Sequence, residues 1–362
     1  MKIFVGVALI FIFFLIFCLI ILSCCSASTA KLAPKQNLTR SVNHDIDLVV
    51  TWVDGDDPER NALRQSYKNQ TTNLNSHDVG ACRYTSHDEL FYLLLSVEKY
   101  APWIRTIWIL ASGTQHPSWL KRDHPRVRVV YDHDIFDNPE WIPTFNSHAL
   151  ECHLHKIPGL SEVFLYANDD MFFGNVCHPE YFLHEDGKVK LHRSIVIQCH
   201  SGPINDLDDA HKNAWRNNQR LLDTKSKEVP RMYPLHQITA MTKTMMSRAE
   251  ENFNLDWTNT SSRRFRTKHD IHPVGLAQYF GVYEQRASWV FSFNTYVSLT
   301  DSVWVNNNLM FGAVIVAKRT LFCINDQTNN PTGEVTKNLR LFLKKYMQID
   351  GKDPIYDWME PL

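Results

Sequence analysis

The stretch Glu162-Val-Phe-Leu-Tyr-Ala-Asn-Asp-Asp170 decides how this chain is read. Val163–Ala167 is short, apolar and aromatic, which marks a buried strand of an α/β sheet. Asn168, Asp169 and Asp170 follow at its carboxyl end, where open α/β sheets bind their ligands. Two adjacent carboxylates repel each other, and a hard divalent cation bridging substrate phosphates would relieve the repulsion. An Asx-rich turn closing the strand accounts for the same residues without a ligand. The flanking sequence has to choose.

Upstream, Ile46–Val53 reads as a first strand that ends in the acidic turn Asp54-Gly-Asp-Asp-Pro58. It lacks the Gly-x-Gly-x-x-Gly pattern of dinucleotide sites. Glu59–His77 reads as helix and loop. Ser86-His-Asp-Glu89 predicts a capping box, with Ser86 as N-cap, opening a helix that runs to about Tyr100 and stops at Pro102. Arg105–Ser112 and Val127–Tyr131 are further strands, with a short helical piece at Trp119-Leu120 between them. Asn146 or Ser147 starts another helix that Pro158-Gly159 ends. This alternation predicts an α/β fold with a mostly parallel sheet flanked by helices. Downstream, strands are expected at Leu191–Gln198 and Val314–Ile324. Helices are expected at Asp206–Leu222, Thr239–Phe253, Gly275–Tyr283 and Glu334–Met347.

The chain has 362 residues with 38 basic and 39 acidic side chains, a balance that gives no reason to expect a nucleic-acid partner. Ile3–Leu22 is an uncharged apolar run of bilayer length. Residues 1–25 are therefore expected to be a cytoplasmic tip and transmembrane signal anchor, 26–44 a stem and 45–362 the folded domain. Sequons at Asn37, Asn69 and Asn259 fit a luminal domain. The expected location is a Golgi or other secretory-pathway membrane, as a single-pass type II protein. Of the eight cysteines, five lie beyond the anchor: Cys82, Cys152, Cys177, Cys199 and Cys323. They allow at most two internal disulfides, and a thiol left over for pairing between chains keeps a homodimer open. No Cys-x-x-Cys pair suggests a structural zinc site.

Four polar clusters stand out: Asp54–Asp57, Asn168-Asp169-Asp170, His236 with Arg263–Asp270, and Asn325-Asp326. Three are mainly acidic and one carries guanidinium groups with a histidine, the equipment of phosphoryl transfer. A cation neutralises bridging oxygens, arginine binds them bidentately and a base takes the acceptor proton.

These residues resemble the Stealth family. The likeness is carried by Ile46-Asp-Leu-Val-Val-Thr-Trp-Val-Asp-Gly55, then by Arg83, Asp88-Glu-Leu, Ser96–Ile104, Pro143-Thr-Phe-Asn-Ser-His-Ala-Leu-Glu151, His155–Glu162 and Asn168-Asp-Asp-Met-Phe-Phe173. It continues through His236, Lys243, Arg264-Phe-Arg266 to Asp270, and Asn325-Asp326. One departure is Ile238-Thr239 after His236-Gln237, where the family often has Pro and a basic residue. The resemblance implies a Rossmann-like or GT-A-like catalytic domain that transfers a sugar-1-phosphate, by attack at phosphorus, from a nucleotide sugar to a sugar hydroxyl. UDP-GlcNAc is the first donor to consider, a glycan or polysaccharide the acceptor, and Mg²⁺ or Mn²⁺ the cofactor.

On this reading Asp169, Asp170 and Asp326 hold the metal, with Asp170 or Asp169 alternatively a general base. Arg266 takes the donor pyrophosphate; a surface salt bridge to Asp270 is the plainer account. His236 shuttles a proton, since imidazole titrates near neutrality; a structural hydrogen bond is the alternative. Asp54, Gly55 and Arg83 are expected at the nucleotide. Asn146, Ser147 and His148 are expected to face the substrate, with Asn168, Asp270 and Asn325 among its contacts. His148, Glu151, Cys152 and His155 mimic a zinc set on one helix, but packing explains all but His148. The rival readings are a metal-dependent glycosyltransferase that moves the sugar alone and a non-catalytic luminal glycan-binding protein.

Overall fold

The computed structural model describes residues 45–360, apart from 72–73, 75–77, 81–82, 228–229, 293–294, 300–310, 313, 316, 327–332 and 348–355. The expected anchor and stem lie outside the described residues. Residues 44–362 form one compact unit.

The first half alternates as its sequence predicts: β1 (Ile46–Thr51), α1 (Pro58–Gln70), α2 (Glu89–Tyr100), β2 (Ile107–Ala111), β3 (Val127–Tyr131), α3 (Asp132–Ile135), α4 (Ser147–Glu151), β4 (Val163–Asn168) and β5 (Met171–Phe173). The second half adds β6 (Val189–Gln198), α5 (Ala210–Asp223), β7 (Met232–Pro234), β8 (Thr239–Thr242), α6 (Lys243–Asn252), α7 (Asn254–Ser261), α8 (Pro273–Tyr283), β9 (Ala287–Phe291), β10 (Thr295–Leu299), β11 (Leu321–Asp326) and α9 (Gly333–Tyr346).

The main sheet has the order β3-β2-β1-β4-β8. The first four strands are parallel, and β8 closes the edge antiparallel to β4, with Thr239 opposite Tyr166. β1 and β2 are buried almost throughout, as strands covered on both faces must be. Successive strands run outward from β1 to β2 and β3, and then the chain returns to place β4 on the other side of β1. The crevice above the carboxyl ends of β1 and β4 is thus the switch point of the sheet, the place such sheets bind ligands.

A smaller sheet, β10-β11-β5, sits directly after the key turn. Asp170 is the hinge between the two sheets: β4 ends before it and β5 begins after it. β11 pairs antiparallel with β5, and the Ile324 amide donates to the Asp170 carbonyl at 3.0 Å. That pairing carries Asn325 and Asp326 to the mouth of the crevice. A third sheet, β7-β6-β9, lies elsewhere in the second half.

Several expectations are corrected. The capping box at Ser86 does not form: helix α2 begins at Glu89 behind a left-handed Asp88, and the Glu89 carboxylate accepts from the His87 amide instead of from Ser86. Thr239–Phe253 is not one helix. Its first four residues are drawn into the sheet edge as β8, because pairing with β4, which buries Ala240 and Met241, outweighs helix propensity. The expected strand at 314–324 is shifted to Leu321–Asp326. Trp119-Leu120 is not helical; Leu120 makes an isolated bridge to Met359. Disulfides are absent among the described cysteines: Cys152, Cys177, Cys199 and Cys323 are buried free thiols. The Asn259 sequon lies inside α7, where the Ser261 hydroxyl is buried and donates to the Trp257 carbonyl.

Candidate active site

One cleft opens at the switch point. Its walls include Thr51–Asp54 from the end of β1, Asn168, Asp169 and Asp170 from the end of β4, Asn325 and Asp326 from β11, and Glu89 at the start of α2. The lining also carries Arg60 and Arg64 from α1, Arg83, and Arg266 beside Ser147, with Asp78 close to Arg83 and Arg266. Residues separated by more than 200 positions therefore meet around one space that is acidic at one end and basic at the other.

The acidic end is crowded. Burial raises the Asp169 carboxyl well above the usual carboxylate range, and the charges of Glu89 and Asp170 add to it. Glu89, almost fully buried, is pushed up to about 7. Asp170 is 8% exposed; one of its oxygens accepts from the Asn325 amide at 2.9 Å, while Oδ1 is buried with no hydrogen-bond partner. Asp326 is held from behind by His87, whose Nε2 lies 3.0 Å from Oδ2, and His87 Nδ1 reaches the Thr336 hydroxyl on α9 at 2.7 Å. Repelling carboxylates and an orphaned buried carboxylate oxygen are the features a cation would resolve, so these residues fit a divalent ion. Among the described residues, the tightest donor group is Asp170, His236 and Cys323, with ligand atoms within 4.8 Å of one another. The set read from sequence, Asp169, Asp170 and Asp326, lines the cleft but does not draw together to that spacing.

At the basic end, Arg266 donates to the Ser147 hydroxyl at the start of α4. Burial and the neighbouring charge of Arg83 both lower its pKa, so an anion there would be welcome. Arg64 lies 3.9 Å over the Tyr84 ring, and Arg60 is buried with Nη2 on the Thr144 carbonyl at 2.6 Å.

Asp54, Arg83, Ser147, Asn168, Asp169, Asp170, Arg266, Asn325 and Asp326 all line the cleft. The remaining sequence candidates do not. Gly55 is a packing glycine: a Cβ there would stand 1.5 Å from the Tyr84 carbonyl oxygen. Asn146 is fully buried, caps α4 by accepting from the His148 amide, and donates to Asp270 at 2.9 Å. Asp270 is also fully buried. It folds the 263–270 loop by accepting from the Thr267 amide and hydroxyl and pairing with Arg263 at 3.2 Å, not with Arg266. These two residues hold the loop that carries Arg266 and are not among the residues lining the cleft. His148 is buried 3.6 Å from Asp270, against His272. His236 stands behind Asp170, with Nδ1 3.2 Å from Cys323 Sγ and its ring edge-on to Tyr296. Sequence reading missed Arg60, Arg64, Asp78, Tyr84, Glu89 and Cys323. Arg60 and Arg64 are one helical turn apart on α1 directly after the acidic turn, a spacing that could have flagged them. The other four carry no local signal.

Comparison with known proteins matches this frame. Residues 44–72 match the family model for Stealth protein conserved region 1, and residues 83–191 that for conserved region 2. The chain is 34% identical over 318 residues to an exopolysaccharide phosphotransferase of Streptomyces coelicolor, covering 86% of this chain and 53% of that protein. It is 37% identical over 227 residues to the exopolysaccharide phosphotransferase CpsY of Mycobacterium tuberculosis, covering 63% of this chain and 42% of that one.

The chain belongs to the Stealth family.

This Stealth protein spans about half the length of the curated relatives it matches. A crystal structure of the galactosyltransferase LgtC with donor and acceptor sugar analogues is similar at 11% identity and a TM-score of 0.40, covering 85% of this chain and 98% of that one. The Golgi location is corrected: the relatives are proteins of Streptomyces and Mycobacterium, bacteria without that compartment. Among the described residues no helix is long and apolar enough to cross a membrane.

Proposed function

We propose that this Stealth protein is a sugar-1-phosphate transferase. It moves a hexose-1-phosphate from a nucleotide sugar, with UDP-GlcNAc the first donor to test, to a hydroxyl of a polysaccharide. The acceptor oxygen forms a bond to the β-phosphorus, the bond from that phosphorus to the bridging oxygen breaks, and the nucleoside monophosphate leaves. The observation that carries this reading is the bipolar cleft, where a cluster of carboxylates (Glu89, Asp169, Asp170) and a cluster of guanidinium groups (Arg83, Arg266) line one space at the switch point. A diphosphate with a bound cation is complementary to both ends.

Asp170 is assigned to anchor Mg²⁺ or Mn²⁺. Such an ion keeps waters and substrate phosphate oxygens in its shell and needs only one or two protein carboxylates, so a loose set suffices. When bound, the ion neutralises charge on the phosphates. Arg266 and Arg83 bind the phosphate oxygens from the other side. Asp169, whose carboxyl is raised by burial and by the charges of Glu89 and Asp170, accepts the acceptor hydroxyl proton. Burial and the nearby Asp170 keep Cys323 a thiol, whose Sγ lies 3.2 Å from His236 Nδ1. His236, which stands behind Asp170 and outside the cleft lining, is assigned to hold Asp170 in position and not to touch the leaving phosphate.

The test is incubation with a panel of nucleotide sugars and an oligosaccharide acceptor, with mass analysis of both products. A phosphodiester with nucleoside monophosphate is expected. A glycoside with nucleoside diphosphate would identify a glycosyltransferase and overturn the proposal, and absence of turnover with every donor would also defeat it.

A further inference from the structure

Cys323 has no task in the reaction just described, yet it is fully buried at the back of the cleft beside two residues that do. It lies opposite Met171 in the β11–β5 pairing, which fixes it next to the Asp170 main chain. Its Sγ is 3.2 Å from His236 Nδ1, and a carboxylate oxygen of Asp170 completes the group within 4.8 Å. Sulfur, nitrogen and one carboxylate oxygen make a poor home for Mg²⁺, which takes oxygen ligands. They suit a borderline-soft ion, as in three-ligand zinc sites that leave the fourth position open.

We propose that Asp170, His236 and Cys323 form a site for a thiophilic divalent ion of the Zn²⁺ class, and that its occupation blocks transfer by withdrawing Asp170 and His236. The blocking part rests on the reading of Asp170 as anchor of the catalytic cation.

The geometry is close to ready. Zn–S and Zn–N bonds of about 2.3 and 2.0 Å at tetrahedral angles separate the two donors by roughly 3.5 Å. The present 3.2 Å contact needs an opening of a few tenths of an ångström. The ion would take the place of the thiol proton, which leaves to solvent. The unpartnered Oδ1 of Asp170, on a residue more than nine-tenths buried, is a second and independent sign that a ligand is wanted here. The three donors come from the turn after β4, the segment before β8, and β11. The pairing of β5 with β11 therefore holds two of the three in place before any ion arrives. Half-buried His236 gives the ion its way in.

Titration of the whole chain with Co²⁺, in place of spectroscopically silent Zn²⁺, tests this. A thiolate-to-Co²⁺ charge-transfer band that saturates at one ion per chain is expected. Competing Zn²⁺ should abolish it. Cys323→Ser should lose the band and weaken Zn²⁺ binding at least tenfold. If that variant does not fold, His236→Gln carries the affinity and inhibition readouts instead, since it removes a ligand and leaves the thiol. Zn²⁺ should inhibit Mg²⁺-supported turnover of the wild type. The concentration for half inhibition should rise at least tenfold in Cys323→Ser, measured against that variant's own zinc-free rate. A Co²⁺ spectrum without a thiolate band, or unchanged Zn²⁺ affinity in the variants, overturns the site. The band reads metal binding without turnover, so the site and the transferase reading fail separately.

Discussion

Asp169 is half-buried beside Glu89 and Asp170, so its charge is held against both burial and repulsion. Asp169→Asn removes that penalty. Without added metal the variant should be as stable as the wild type, or more stable by about 1 kcal/mol, while turnover falls at least ~100-fold; denaturant melts and a product assay check the two halves. Arg266→Lys keeps the charge but loses the fork. A loss of about 1.5–3 kcal/mol of transition-state binding, roughly 10–150-fold in kcat/KM, is expected. An undiminished kcat/KM would reduce Arg266 to a partner of Ser147. At this scale the sequence was legible where a residue's chemistry is rare in a turn, as with Asn168-Asp169-Asp170. It misled where a polar residue is buried for the fold. Asn146 and Asp270 belong to motifs that shape the site, and a motif does not say whether its members touch substrate or aim the residue that does. Gly55 is the same case: its lack of a Cβ serves the Tyr84 carbonyl, a contact across some thirty residues.

Among the elements, α6 shows how the helical layer is pinned. Glu250 on α6 reaches the turn after α4, with His155 Nε2 at 2.8 Å and Lys156 Nζ at 2.9 Å. Burial works to raise its carboxyl, but the hydrogen bonds from His155 and Lys156 and their charges hold it down at about 2. The folded pKa lies below the unfolded one of about 4.5. The unfolded chain therefore binds a proton first as pH falls. This contribution is complete above about pH 4.5 and is lost as pH drops toward 2. Glu250→Gln should cost about 1–3 kcal/mol at neutral pH after allowance for partial exposure, and should flatten the stability slope across that acid window. A variant with the wild-type acid slope would show the pair to be idle. Elements were readable where periodicity and punctuation agree, as in α2, β2 and β4. They were not readable where a short strand owes its existence to a partner. β5 and β8 are three and four residues long, and only β11 and β4 make them strands.

For the whole molecule, the cleft is assembled from two sheets joined at Asp170, so its acidic and basic ends are built from different segments of the chain. A ligand that touches both ends must tie them together. Nucleotide diphosphate alone meets the arginines but leaves the carboxylates repelling each other and the phosphates. A divalent cation alone relieves the carboxylates and leaves the arginines unmatched. Supplied together, each improves the other's site, and linkage requires the effect to be reciprocal. Thermal unfolding of residues 44–362 as one unit should therefore shift little with UDP or Mn²⁺ singly. With both present at about 100 times their dissociation constants, the gain should approach ~2.7 kcal/mol for the pair bound as one ligand. Asp170→Asn should remove the advantage of adding the ion while UDP alone behaves as in the wild type. Arg266→Lys should do the reverse, weakening UDP whether or not the ion is there. Additive shifts from the two ligands, or an Asp170→Asn variant that keeps the synergy, would mean that the two ends of the cleft serve separate ligands and not one cation-bound diphosphate.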